Sequence, residues 1–158
     1  MKSRILFLLF ILTCNFLFSQ NQDQSQKAAL DPSQVPTAVT GAFTDQNPGI
    51  TATWRADGQN FRASYIDPSS KLGRIIIYDK EGNVLRREDE VDNVTFPAPI
   101  NDYYNKHHPG EIYQVWKSDE KANGHSMYYS SRNDETIWFD SEGHVIPAKK
   151  AERTKKKK

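Results

Sequence analysis

The chain has 158 residues, of which 37% are hydrophobic and 26% charged, and its formal net charge is +1 at pH 7. Its one cysteine, Cys14, excludes a small domain held together by disulfides. The charge is uneven, because residues 149–158 hold seven Lys or Arg against one Glu, and Lys2 and Arg4 add two positive charges. The remaining body, residues 21–148, therefore carries a charge of −7, which argues against nucleic acid as a partner.

Residues 1–20 are predicted to be a secretory signal peptide. The basic start "MKSR" precedes an apolar run of 14 residues, "ILFLLFILTCNFLF", and a polar segment follows. A membrane span needs about 20 apolar residues, although a retained N-terminal anchor helix is the alternative. Cys14 lies inside the run, so we expect it to belong to the signal rather than to carry a lipid anchor. The mature chain is then exported, periplasmic or secreted, and residues 21–32 form a polar, mobile linker.

Residues 35–85 match residues 96–146, mostly at a spacing of 61 residues. The best match is "YDKEGNVL" at 78–85 with "FDSEGHVI" at 139–146. After the Pro-Gly pair of each copy, "ITATW" aligns with "IYQVW" if Glu111 is treated as an inserted residue. These matches predict a tandem repeat, with repeat one at 33–92 and repeat two at 93–148.

Each repeat is predicted to contain one helix and four antiparallel strands. Apolar residues recur at helical spacing after the linker and again in the second copy, at Val35, Val39 and Phe43 and at Phe96, Ile100 and Tyr104. A Pro-Gly pair ends each helix, because the residue before proline disfavours the helical conformation. The motif "DKEGN" is a hairpin turn in which Gly82 takes a positive φ and Asp79 bonds to the backbone. It lacks the calcium-binding loop of about 12 residues, so we expect no metal there.

This pattern resembles the PepSY-like family of exported bacterial proteins, also called β-lactamase-inhibitor-protein-like (BLIP-like) domains. The resemblance rests on "VPTAVTGAFTDQNPGITATW", "YDKEGNVL" and their second copies, and it covers nearly all of residues 33–146. It implies an α+β domain at 33–148, in which the two repeats form one curved eight-stranded sheet with the helices on one face and the other face open. It also implies a binding or inhibitory role rather than catalysis.

No catalytic set stands out in the sequence, which has neither a Gly-rich phosphate loop nor a nucleophile elbow. We therefore expect no enzyme activity and no cofactor. His107 and His108 are adjacent, so on a helix their side chains diverge by about 100°, which does not suit a standard metal site. A periplasmic metal or small-molecule sensor that uses these histidines is an alternative function.

The open face of the sheet is the predicted site of function. If Ile112 and Trp116 face the helices, as Ile50 and Trp54 are expected to, then Tyr113 and Val115 face outward. The same alternation turns Met127 and Tyr129 inward and Tyr128 outward. Tyr, Trp and Arg are enriched at binding hot spots, so a protein or peptide partner is predicted to contact Arg55, Arg62, Tyr113, Tyr128 and Trp138. The alternative is that these aromatic residues only pack across strands.

The tail, residues 149–158, is predicted to be disordered, because its charges show no apolar periodicity. It either keeps the chain soluble or tethers it to an anionic envelope surface.

Overall fold

The structure is a computed structural model that describes residues 28–132 and 135–147. The predicted signal peptide and basic tail lie outside these residues, as do residues 21–27 of the predicted linker. The described chain contains two α-helices, α1 (Thr37–Gln46) and α2 (Ala98–His107), and a short 3₁₀ helix at Pro32–Gln34. Its eight strands are β1 (Thr53–Asp57), β2 (Asn60–Ile66), β3 (Gly73–Tyr78), β4 (Val84–Val91), β5 (Val115–Glu120), β6 (Ser126–Arg132), β7 (Glu135–Phe139) and β8 (Val145–Ile146).

The eight strands form a single antiparallel sheet in chain order, from β1 at one edge to β8 at the other. The elements run as one helix and four strands, and then again one helix and four strands. The predicted α+β class and eight-stranded antiparallel sheet are therefore confirmed. Neither helix within residues 28–132 and 135–147 has the length and apolar character of a membrane span.

Each helix covers its own hydrophobic core. Val39 and Phe43 of α1 are at most 3% exposed and pack on β1–β3, whereas Ile100 and Tyr104 of α2 pack on β5 and β7. The first cluster is completed by Val35, Trp54, Ala63, Ile76 and Tyr78, and the second by Phe96, Val115, Ile137 and Phe139.

Both helices lie on the same face of the sheet, which we call the helix face. Ile76 of the first core pairs with Arg87, and Val91, four residues further along β4, pairs with Val115 of the second core. Side chains four residues apart on a strand point the same way. Between the two cores the helix face is charged, because Arg87 there pairs with Asp119. The two cores are therefore separate rather than one continuous layer.

The repeated turn motif holds each helix against its hairpin. The Asp79 carboxylate accepts hydrogen bonds from two backbone N–H groups of its own turn, at 2.8 and 3.0 Å. Gly82 has a φ of +86°, and a Cβ there would lie 2.5 Å from the Ala38 carbonyl oxygen. In the second half a Cβ on Gly143 would lie 2.7 Å from the Cβ of Pro97. The glycine thus serves both the turn and the close approach of the helix.

The end of the predicted linker contacts the sheet. The backbone N–H of Leu30 donates to the Trp54 carbonyl at 2.8 Å, and the Leu30 side chain packs against the α1 core. The last residues of the predicted linker therefore contact the domain through an isolated bridge outside β1, and the bounds of the linker stay a prediction.

Candidate functional site

The face of the sheet opposite the helices, which we call the open face, carries two different rows of side chains. Strand pairing places four residues side by side in the first half, namely Arg55, Arg62, Ile77 and Arg86. The equivalent row in the second half contains Trp116, Tyr129, Trp138 and Ile146. Each row begins one residue after a core residue, Trp54 or Val115. The open face therefore has a basic part and an aromatic part, which we call the basic row and the aromatic row.

The aromatic row is closely packed at one end and exposed at the other. The Trp116 and Tyr129 rings are nearly parallel, with centroids 6.3 Å apart, and the Tyr129 and Trp138 centroids are 5.0 Å apart. Trp116 also lies over Gly73 of β3, where a Cβ would be 2.5 Å from the indole Cη2. Trp138 is 37% exposed. The indole of Trp138 and the side chain of Ile146, which is 39% exposed, are thus the parts of the row that a partner can reach.

A buried carboxylate joins the two rows. Glu88 of β4 is only 3% exposed, although it lies on the open face. Its Oε1 accepts a hydrogen bond from Arg86 Nε at 2.8 Å, and its Oε2 accepts one from the Tyr129 hydroxyl at 2.8 Å. The Arg62 guanidinium lies 3.7 Å from the same Oε2. A buried charge is tolerated when it is paired and hydrogen-bonded in this way, so Glu88 links β2, β4 and β6.

Tyr129 remains a hydrogen-bond donor over the physiological pH range. Burial raises the pKa of its hydroxyl, and the negative charge of Glu88 raises it further, since both disfavour a phenolate. The Tyr129 hydroxyl therefore stays protonated at neutral pH and can donate its hydrogen bond to Glu88.

Two grooves flank the buried carboxylate on the open face. The larger, of about 710 Å³, is lined among others by Ser64, Ile66, Ile75, Glu90 and Trp116. Ile66 is 61% exposed at its rim, whereas Ile75 is buried in its floor. The smaller groove, of about 530 Å³, lies over Ile77 and Arg86 at the other end of the strands. Both grooves combine an apolar floor with polar sides, a combination common in binding sites.

Two of the five predicted site residues are not on the open face. Tyr113 stacks on Tyr104 of α2 at 3.6 Å between centroids, and its hydroxyl donates to Asn101 Oδ1 at 2.6 Å. Tyr128 packs against the α2 core. The expected outward orientation of both is therefore wrong, and so is that of Val115, which is 1% exposed in the same core.

The error comes from a single misplaced insertion. Treating Glu111 as an extra residue aligned Trp116 with Trp54, but in the structure Val115 takes the place of Trp54 in its core. The extra residues instead lie in the loop between β5 and β6, which spans residues 121–125. The equivalent loop between β1 and β2 contains only residues 58–59. A shift of one residue moves every side chain of a strand to the opposite face.

The other three predicted residues lie on the open face. Arg55 is exposed, Arg62 approaches Glu88, and Trp138 contacts Tyr129. Their role in binding stays a prediction. Sequence reasoning did not place Trp116, Tyr129 and Glu88 on the open face. The missing information was how β5 pairs with β4, the strand that contains "RREDEV".

The histidines contact aromatic and acidic neighbours. The His107 ring stacks on Tyr103 with centroids 4.7 Å apart, and His108 Nδ1 lies 3.8 Å from Glu111 Oε1. Glu111 also pairs with the Arg132 guanidinium. Over the part of the chain that the structure describes, no group of three or more His, Cys, Asp or Glu residues is placed to hold a metal ion.

No family model and no curated protein matches the chain. Solved structures do: a Bacteroides eggerthii protein described as a candidate periplasmic protein is 11% identical, with 72% of this chain and 86% of that chain covered and a TM-score of 0.58. A DUF2874 family protein from Bacteroides uniformis is 13% identical, covering 72% and 87%, with a TM-score of 0.56. A BLIP-like protein from Bacteroides fragilis is 16% identical, covering 75% and 85%, with a TM-score of 0.51. At these identities the likeness shows the fold alone, and the chain therefore shares the fold of a BLIP-like protein and of DUF2874 family proteins.

Proposed function

We propose that the chain is an exported, non-enzymatic binding module that engages a protein or peptide partner through the open face. The observation that carries this proposal is the exposed indole of Trp138, at the end of an aromatic row on the face opposite both described helices. Ile66 and Ile146, which are 61% and 39% exposed, lie on the same face. Exposed apolar groups clustered on one surface mark interaction sites, and Trp is prominent among binding hot spots.

The proposal includes a PepSY-like identity and an origin from two copies of one unit. It is supported by the order of the elements, one helix and four strands in each half. It is also supported by equivalent positions, since Trp54 and Val115 occupy matching places in the two cores, as do Tyr78 and Phe139.

Export is supported by the pattern of residues 1–20 and by the fold shared with a candidate periplasmic protein. The absence of catalysis is supported by the hydrogen bonds that buried polar side chains make with one another. Glu88 and Tyr129 satisfy each other, and the Tyr104 hydroxyl donates to Ser130 at 2.8 Å. These groups hold the fold together.

The test is capture of the partner by two matched double variants of residues 21–158. Ile66→Ser with Trp138→Ser removes apolar surface from the open face. Val94→Ser with Ile112→Ser removes it from two loops where these side chains are 82% and 101% exposed. The first pair should weaken partner binding about tenfold or more, which corresponds to about 1.4 kcal/mol, and the second should leave it unchanged. Equal loss from both pairs, or none from the first, would contradict the proposal, provided that circular dichroism shows folded protein.

A further inference from the structure

Two arginines lie directly opposite each other on the open face. Arg55 of β1 pairs with Arg62 of β2, and both side chains point away from the helices. Like charges in directly opposed positions destabilise an antiparallel pair. Arg55 is also exposed on β1, the edge strand of the sheet, next to the bridge between Leu30 and Trp54. A negative charge from outside the chain would therefore be favourable between them.

The nearby carboxylates are engaged with other groups. The Glu88 carboxylate accepts hydrogen bonds from Arg86 and Tyr129, both at 2.8 Å, and lies 3.7 Å from Arg62. Asp57, two residues along β1 from Arg55, lies 3.7 Å from Arg86. Across residues 28–132 and 135–147, no carboxylate pairs with Arg55. In a body with a net charge of −7, Arg55 is thus a positive charge that no carboxylate of the described residues neutralises.

The larger groove begins two residues away on the same two strands. Thr53 and Ser64 are directly opposite each other and line the groove, with Ile66 and Trp116 beyond them. A step of two residues along a strand is about 6.6 Å. An extended peptide that lies on the open face, parallel to β1, therefore places side chains i and i+2 at the arginine pair and in the groove.

We propose that the partner presents an extended acidic segment, with an Asp or Glu between Arg55 and Arg62 and an aromatic or large aliphatic side chain two residues away in the groove. The inference rests on the proposed function, because it specifies the chemistry of the partner that the open face binds. Electrostatic complementarity supplies its specificity, and the groove supplies the apolar anchor.

The probe is a phage-displayed library of random peptides, selected on immobilised residues 21–158 at low salt. We expect the recovered peptides to contain an acidic residue separated by one position from an aromatic or large aliphatic residue. Synthetic copies should bind Arg55→Glu about tenfold more weakly than the unmodified chain. Lys80→Glu makes the same change of charge at a turn residue whose side chain is 75% exposed, and it should leave binding within about twofold.

The other outcomes contradict either the acidic-segment proposal alone or the proposed function as well. Peptides without an acidic excess, or with equal affinity for Arg55→Glu, overturn the inference. If such peptides still lose binding in Ile66→Ser with Trp138→Ser, the proposed function survives. Peptides that are insensitive to both changes overturn the proposed function as well, and a selection that enriches no peptide counts against the acidic-segment proposal.

Discussion

Replacing Tyr129 by Phe should destabilise the domain markedly, although Tyr129 lies on the open face. Its hydroxyl donates to the buried Glu88 carboxylate at 2.8 Å, a side-chain hydrogen bond from β6 to β4 that adds to the backbone pairing of β4 with β5. Without it, Glu88 Oε2 keeps only the Arg62 guanidinium, 3.7 Å away, as a charged neighbour from another strand among the described residues. A hydrogen bond to a charged group contributes about 1.5–3 kcal/mol, so we expect a loss of about 2 kcal/mol. For a domain of this size, that lowers Tm by roughly 6–12 °C.

The assay is urea denaturation followed by circular dichroism, with Tyr104→Phe as the control. Tyr104 donates to Ser130 at 2.8 Å, and both residues are at most 1% exposed, so this variant removes a buried hydrogen bond between neutral groups. It should cost about 1 kcal/mol. In a double-mutant cycle, Tyr129→Phe with Glu88→Gln should show a coupling of about 1–2 kcal/mol. A Tyr129→Phe cost no larger than the control, together with zero coupling, would refute the role given to Glu88.

Three further predictions concern the folded chain. Tyr78→Phe should be neutral or stabilising by up to about 1 kcal/mol in urea melts, because its buried hydroxyl has no partner among the described residues and Phe139 fills the matching place. Gly73→Ala should cost about 1–3 kcal/mol and change the near-ultraviolet circular dichroism of Trp116, because its Cβ would lie 2.5 Å from the indole. The side-chain amide of Asn83, followed by backbone N–H groups, lowers the pKa of Asp79. The stability that this carboxylate contributes is thus present above its ordinary pKa of about 4 and is lost as the pH falls below it. We therefore expect the urea midpoint to depend less on pH in Asp79→Asn than in the unmodified chain between about pH 5 and 2.

The architecture was predictable because local signals agreed with one another. Turn residues, proline stops and the period of apolar residues all indicated a helix followed by four strands, and "GRIIIY" became β3 with the expected boundaries. The turn motifs were recognisable because an Asp followed by Gly three residues later makes the same backbone hydrogen bonds in both halves.

The candidate site was only partly predictable, because residues 112–116, which lead into β5, hold large apolar residues in both alternating patterns. Tyr113 and Val115 satisfy one face, and Ile112 and Trp116 the other, so periodicity alone did not decide between them. Aligning Trp116 with Trp54 assigned these residues to the wrong faces. In the structure, the pairing of β4 with β5 determines which residues face the helices. Glu88 was missed because a charged residue in an alternating strand is normally exposed, and only its three partners on different strands make burial possible.

The most direct test of the account places a photo-crosslinking amino acid at position 138 or at position 112 of the full chain in the cell. Both positions hold apolar side chains that are at least 37% exposed, but Trp138 belongs to the aromatic row of the open face, whereas Ile112 lies in the loop between α2 and β5. We predict that light links position 138 to a defined partner protein and that position 112 gives no such product. Crosslinks of equal yield at the two positions, or a partner product at position 112 alone, would contradict the claim that this chain binds its partner through the open face.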